Sequence, residues 1–100
     1  MALSYQDLKE LRPGALIRIC VDLDYTSSID VICTFNKIDD FRAASVQIDC
    51  QEIGSFWFDL DVEIFLVAPS MEALPLEDWA GLAHLLHPKL QKRVLEWFKI

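Results

Sequence analysis

Residues 44–58 read Ala44-Ser45-Val46-Gln47-Ile48-Asp49-Cys50-Gln51-Glu52-Ile53-Gly54-Ser55-Phe56-Trp57-Phe58. In the first half, Ala44, Val46, Ile48 and Cys50 alternate with Ser45, Gln47 and Asp49, the period of a strand with one dry and one wet face. Gln51 to Gly54 reads as a tight turn built on glycine, and Phe56-Trp57-Phe58 then sets bulky aromatics on both faces of the next strand. A hairpin in the middle of the chain makes this a sheet protein.

Upstream, Ile29, Val31, Cys33 and Phe35 alternate with Asp30, Ile32, Thr34 and Asn36, and Ile17, Ile19 and Val21 alternate with Leu16, Arg18, Cys20 and Asp22. These are two more strands, joined through a polar turn at Tyr25 to Ser28. Lys37 to Arg42 is expected as a connection carrying the adjacent acids Asp39 and Asp40, anchored by Ile38 and Phe41. Ser4 and Asp7 have capping-box spacing, so a short helix is expected from there to about Arg12, where Pro13-Gly14 stops it.

Downstream, Val62 to Val67 is a fifth strand, apolar on both faces, and such a strand needs cover on both sides. After Pro69 the period becomes helical. Leu76, Trp79, Ala83 and Leu86 share one face, with Pro75 in the first turn and Glu77 and Asp78 at its positive end. His87-Pro88 breaks the run, and a second helix carries Leu90, Val94, Trp97 and Phe98 inward, with Lys89, Lys92, Arg93 and Glu96 toward water. The expected architecture is a single α+β domain over residues 1–100, mainly β over 1–69 and helical over 70–100. It comprises a short N-terminal helix, a five-stranded antiparallel sheet or half-open barrel, and a C-terminal helical hairpin packed on it. In strand number and turn length the sheet resembles the SH3-like architecture.

With 53% hydrophobic residues in a chain of 100, a disordered or two-domain reading fails. Sixteen acids against nine bases leave a net charge of −7, which argues against direct nucleic-acid binding and against an anionic membrane surface. The N-terminus lacks the basic and apolar regions of a secretory signal, and no apolar run approaches the roughly 20 residues of a membrane span, so a cytoplasmic protein is expected. Three cysteines, Cys20, Cys33 and Cys50, are an odd number at wide spacing, matching neither a disulfide framework nor a zinc site.

The same subtraction removes most chemistry. Gly14, Gly54 and Gly81 are isolated, so no phosphate cradle is expected, and no nucleophile sits in a recognisable catalytic context. His84 and His87 lack a metalloprotease pattern and are expected as helix and cap residues. No catalytic activity, cofactor or metal is therefore expected.

What remains is acid. Between residues 20 and 63 ten carboxylates meet only Lys37 and Arg42, whereas residues 70–100 carry four acids and four bases. Asp22-x-Asp24 and Asp59-x-Asp61-x-Glu63 each aim their acids to one side of an extended chain. With no loop spacing suited to calcium, the expectation is a docking face for a basic protein, formed by Asp22, Asp24, Asp39, Asp40, Asp59, Asp61 and Glu63 with Trp57 as an aromatic anchor. Small acidic inhibitors, such as toxin immunity proteins and phage inhibitors of bacterial defence nucleases, are similar in size and charge. The alternative expectation is an accessory subunit that self-associates into a homo-oligomer through apolar strand and helix surfaces.

Overall fold

In a computed structural model, residues 2–22, 28–42, 45–58 and 62–98 are described, apart from the side chains of residues 39–42, 45, 76 and 98. Ser4 caps helix α1 (Tyr5–Lys9): its hydroxyl accepts the Asp7 N–H at 3.2 Å, and the Asp7 carboxylate accepts the Ser4 N–H at 2.9 Å. Both orphan donors at the helix start are thus satisfied within the first turn. The Ser4 bonds also hold the Asp7 carboxyl below the usual carboxylate range.

Five strands follow: β1 (Leu16–Asp22), β2 (Ser28–Arg42), β3 (Ser45–Cys50), β4 (Gly54–Phe58) and β5 (Val62–Ala68). Every pairing is antiparallel, and the order across the sheet is β4-β3-β2-β1-β5. The hairpin from β3 to β4 turns through Gly54 at φ +78°, a backbone conformation that a side chain would strain.

The segment Lys37 to Arg42 is not a connection, because β2 runs through it for a total of 15 residues. Asp39 and Asp40 are therefore strand residues. The register shifts between Phe35 and Lys37, and this bulge re-phases the strand so that Phe35 and Ile38, three apart, both join the core. A strict period of two breaks at such a point, which is why the sequence pattern ends there too early.

Strand β2 changes partner along its length. Its first half pairs with β1, from Ser28↔Asp22 to Thr34↔Leu16, and its second half pairs with β3, from Phe35↔Cys50 to Arg42↔Ser45. On the first half, Ile32 and Thr34 direct their backbone groups away from β1 toward an edge that β3 does not reach. Three substitutes fill it. The His87 N–H donates to the Ile32 carbonyl at 3.0 Å, the Gln51 N–H donates to the Thr34 carbonyl at 3.0 Å, and the Glu52 carboxylate accepts the Thr34 N–H at 2.7 Å. The other Glu52 oxygen accepts the Thr34 hydroxyl at 2.7 Å and an Arg93 N–H at 3.2 Å. Glu52, with a side chain only 2% exposed, is thus a buried acid standing in for a strand.

The sheet packs a hydrophobic cluster against each of its faces. On one, Ile17, Ile19, Cys33, Phe35, Ile48 and Ile64 form a core closed by Leu8 of α1, with Phe56 and Phe58 packed against it. On the other, Leu16, Ile32 and Ala68 are covered by Trp79, Leu86, Leu90 and Val94. These come from helix α2 (Leu76–Leu82), a 3₁₀ turn (Ala83–Leu85) and helix α3 (Pro88–Phe98), where the sequence pattern had run the first helix on to His87. Leu86 instead forms a parallel bridge with Ile32, so the chain between the helices is fastened to the free edge of β2. The Trp79 and Trp97 rings meet edge-on, with centroids 6.5 Å apart.

Candidate functional site

The C-terminal helices cover only one end of their sheet face. In β1 the residues on this face are Leu16, Arg18, Cys20 and Asp22, and the register sets Cys20 between Asp30 of β2 and Glu63 of β5. Directly opposed residues of antiparallel strands share a face. Asp22, Asp30 and Glu63 therefore lie together at the uncovered end, on three adjacent strands, and all three are exposed.

One of the three is neutralised. Arg18 donates from Nε and Nη2 to the two Asp30 oxygens, a two-pronged pair with the first bond at 2.7 Å. That bond holds the Asp30 carboxyl below the usual carboxylate range, an effect to which the Cys20 thiol, donating at 3.6 Å, and nearby His84 add. Desolvation, followed by the Asp30 charge, pushes the Cys20 thiol up and keeps it protonated. Among the described residues, Asp22 and Glu63 have no ion-pair partner. The end of the sheet thus presents two uncompensated carboxylates beside a paired one.

Because the folded state depresses the Asp30 pKa, the stabilisation is present above the unfolded value and is lost as pH falls through the lower folded value. Asp30→Asn should therefore flatten the acid limb of a stability-versus-pH curve below about pH 4, read by urea denaturation at each pH. An acid limb identical to that of the parent protein would show that the pair contributes nothing.

The remaining expected site residues divide. Asp24, Asp59 and Asp61 lie outside the described residues, as do the side chains of Asp39 and Asp40. Trp57 is 52% exposed on β4, paired with Gln47. It is three strands from Asp22, and its row meets β2 at Asp39 whereas that of Asp22 meets β2 at Ser28, at the other end of the strand. Asp22 and Glu63 are brought together, and Trp57 is not with them. Asp30 joins them although no acidic pattern in the sequence marks it; only the cross-strand register finds it.

Beside Trp57 the outer face of the sheet is polar. The Asn36 side-chain amide donates to Asp49 at 2.7 Å, and the Ser55 hydroxyl donates to the same carboxylate at 3.3 Å. Among the described residues no group of three His, Cys, Asp or Glu side chains is arranged to hold a metal ion, and no helix is long and apolar enough to cross a membrane. Cys20, Cys33 and Cys50 are free thiols; a hydrogen bond with Cys50, and then burial, push the Cys33 thiol up. Comparison with known proteins finds no matching family model, no similar curated protein and no similar solved structure.

Proposed function

We propose that this chain is a non-catalytic protein-binding module that captures a basic partner through the uncovered end of its sheet. The observation that carries this reading is the register that gathers Asp22, Asp30 and Glu63 from three strands onto one exposed face, with a cation supplied to only one of them. Like charges held side by side oppose folding slightly, while their summed field attracts a positive surface and speeds encounter. Masking of a basic enzyme by an acidic inhibitor or immunity-type protein uses this physics. The three free thiols fit work in a reducing compartment such as the cytoplasm. We read the sheet itself as a half-open SH3-like barrel, since β2 serves two sets of partners around one core.

The test pairs the parent protein with Asp22→Lys/Glu63→Lys, which reverses two charges without touching the Arg18–Asp30 pair. In host extract at low salt, the parent should retain a basic protein that the variant loses. With that protein purified, association should slow by about ten-fold or more in the variant, and the parent's rate should fall as salt shortens the Debye length below about 8 Å. Equal association rates for the two proteins, or rates indifferent to salt, would assign the acids to solubility alone.

A further inference from the structure

The sheet has two edge strands, and among the described residues only one of them is shielded. On β5 the segment before α1 reaches the edge, where the Leu3 N–H donates to the Ile64 carbonyl at 2.7 Å, and Glu63 puts a charge in the strand. On β4, Gly54-Ser55-Phe56-Trp57-Phe58 carries neither charge nor proline, and it pairs with β3 residue for residue without a bulge. Charge, proline, bulges and cover are what keep an edge from accepting another strand.

The bonds on the far side of β3 fix which backbone groups of β4 point outward. The Phe35 N–H donates to the Ala15 carbonyl and the Phe35 carbonyl accepts the Gly14 N–H, so Phe35 turns its peptide groups away from β3. Its partner Cys50 then turns toward β4, and by alternation the bonded pairs are Cys50 with Gly54, Ile48 with Phe56 and Val46 with Phe58. Ser55 and Trp57 direct their N–H and C=O groups outward, and among the described residues no backbone group meets them. The side chains tell the same story. Trp57 is 52% exposed, Ile53 in the preceding turn is 39% exposed, and Phe56 is only half-buried although it packs on the core.

We propose that β4 pairs antiparallel with β4 of a second copy of the chain, about a two-fold axis at Phe56. Ser55 of each copy exchanges two backbone hydrogen bonds with Trp57 of the partner subunit, which satisfies every outward group of the two residues. A two-fold interface must be self-complementary, and this register is. On the outer face the small Ser55 lies opposite the large Trp57 of the partner subunit. On the core face Phe56 meets Phe56 of the partner subunit in the closely spaced position, with Cα atoms about 4.5 Å apart.

Charge also selects the occupant. Each copy carries a net −7, so two copies repel. Asp22, Asp30 and Glu63 stand on β1, β2 and β5, however, and Asp49 on β3 is engaged by Asn36 and Ser55. An uncharged edge is where one acidic copy approaches another with little penalty, whereas a basic partner is drawn to the uncovered end of the sheet. This inference does not depend on the acidic-face reading, and the two fail separately.

Sedimentation from low-micromolar to several hundred micromolar protein should show a particle of twice 11.5 kDa forming as concentration rises. Raising salt should tighten it, because screening weakens the repulsion between copies and leaves backbone bonds and apolar contact in place. Amide exchange followed by nuclear magnetic resonance should slow at Ser55 and Trp57 in the concentrated sample. Trp57→Lys changes an exposed side chain, so circular dichroism in the far ultraviolet should be unaltered while the dimer weakens at least about ten-fold. Leu95→Asp, on the helical surface, should leave the dimer as tight as the parent's. A monomer throughout the range, a dimer whose Ser55 and Trp57 amides exchange as fast as in the dilute sample, a dimer that loosens as salt rises, or a Trp57→Lys protein that dimerises as tightly as the parent would overturn the proposal.

Discussion

Glu52→Ala should lower stability by about 3 kcal/mol, a large share of the roughly 5–15 kcal/mol that holds a small domain folded. The change deletes the acceptor of the Thr34 N–H and of the Thr34 hydroxyl, and Thr34 is itself buried. A buried donor left without a partner costs about 1–3 kcal/mol, more than the net gain of an ordinary hydrogen bond. Arg93 is 45% exposed at its side chain and can turn to water, so its loss of Glu52 adds less. Glu52→Gln keeps one acceptor for the Thr34 N–H and should cost about half as much, while Thr34→Val should cost about 1 kcal/mol. Urea titrations would show the midpoint falling at constant slope. If alanine and glutamine at position 52 prove equally mild, water has replaced the carboxylate and the acid is not closing the edge of β2.

Removing the chain after Pro69 should abolish cooperative folding. The lost segment supplies Trp79, Leu86, Leu90 and Val94, which cover Leu16, Ile32 and Ala68. It also takes away the His87 N–H bonded to Ile32 and the Arg93 paired with Glu52. The surface laid bare is the Leu16 and Ile32 face; Phe56 and Phe58 pack into the opposite cluster and stay covered. The expected product binds a hydrophobic dye, loses its near-ultraviolet dichroism and aggregates. A milder form of the same test is Leu90→Ala at a fully buried position, with an expected cost of about 3 kcal/mol. A truncated chain that remained monomeric and unfolded in one sharp transition would make the helices an appendage.

The acidic character of the candidate site was legible in the sequence because it is a count. Asp22 and Glu63 were marked by short patterns that put acids on one side of a strand. Their meeting was not legible: they lie 41 residues apart in numbering and share a face only because both flank the Cys20 row. Asp30 was passed over for the same reason. The pattern Phe56-Trp57-Phe58 put aromatics on both faces of a strand; that Trp57 is the exposed one, and that it lies apart from the acids, depends on packing and strand order, which local pattern does not encode.

The sequence by itself determined the local elements, since each rests on interactions within a few residues. The Ser4–Asp7 capping box, the alternation in β1 and β3, the glycine turn before β4 and the proline-bounded helices are all of that kind. Only the tertiary structure decided what β2 is. Its bulge after Phe35 and its run through Asp39 and Asp40 follow from Ile38 reaching the core opposite Ile48 on β3, a contact that outweighs the polar composition of the segment. Glu52 is the same lesson in polar form. Its place in the chain is an exposed-looking turn, but the edge of β2 lacks a strand beside Thr34, and a buried N–H must find an acceptor wherever the fold can bring one. Periodicity reports which way a side chain faces along its own element; which distant group waits there is settled by packing and by the hydrogen bonds that burial makes obligatory.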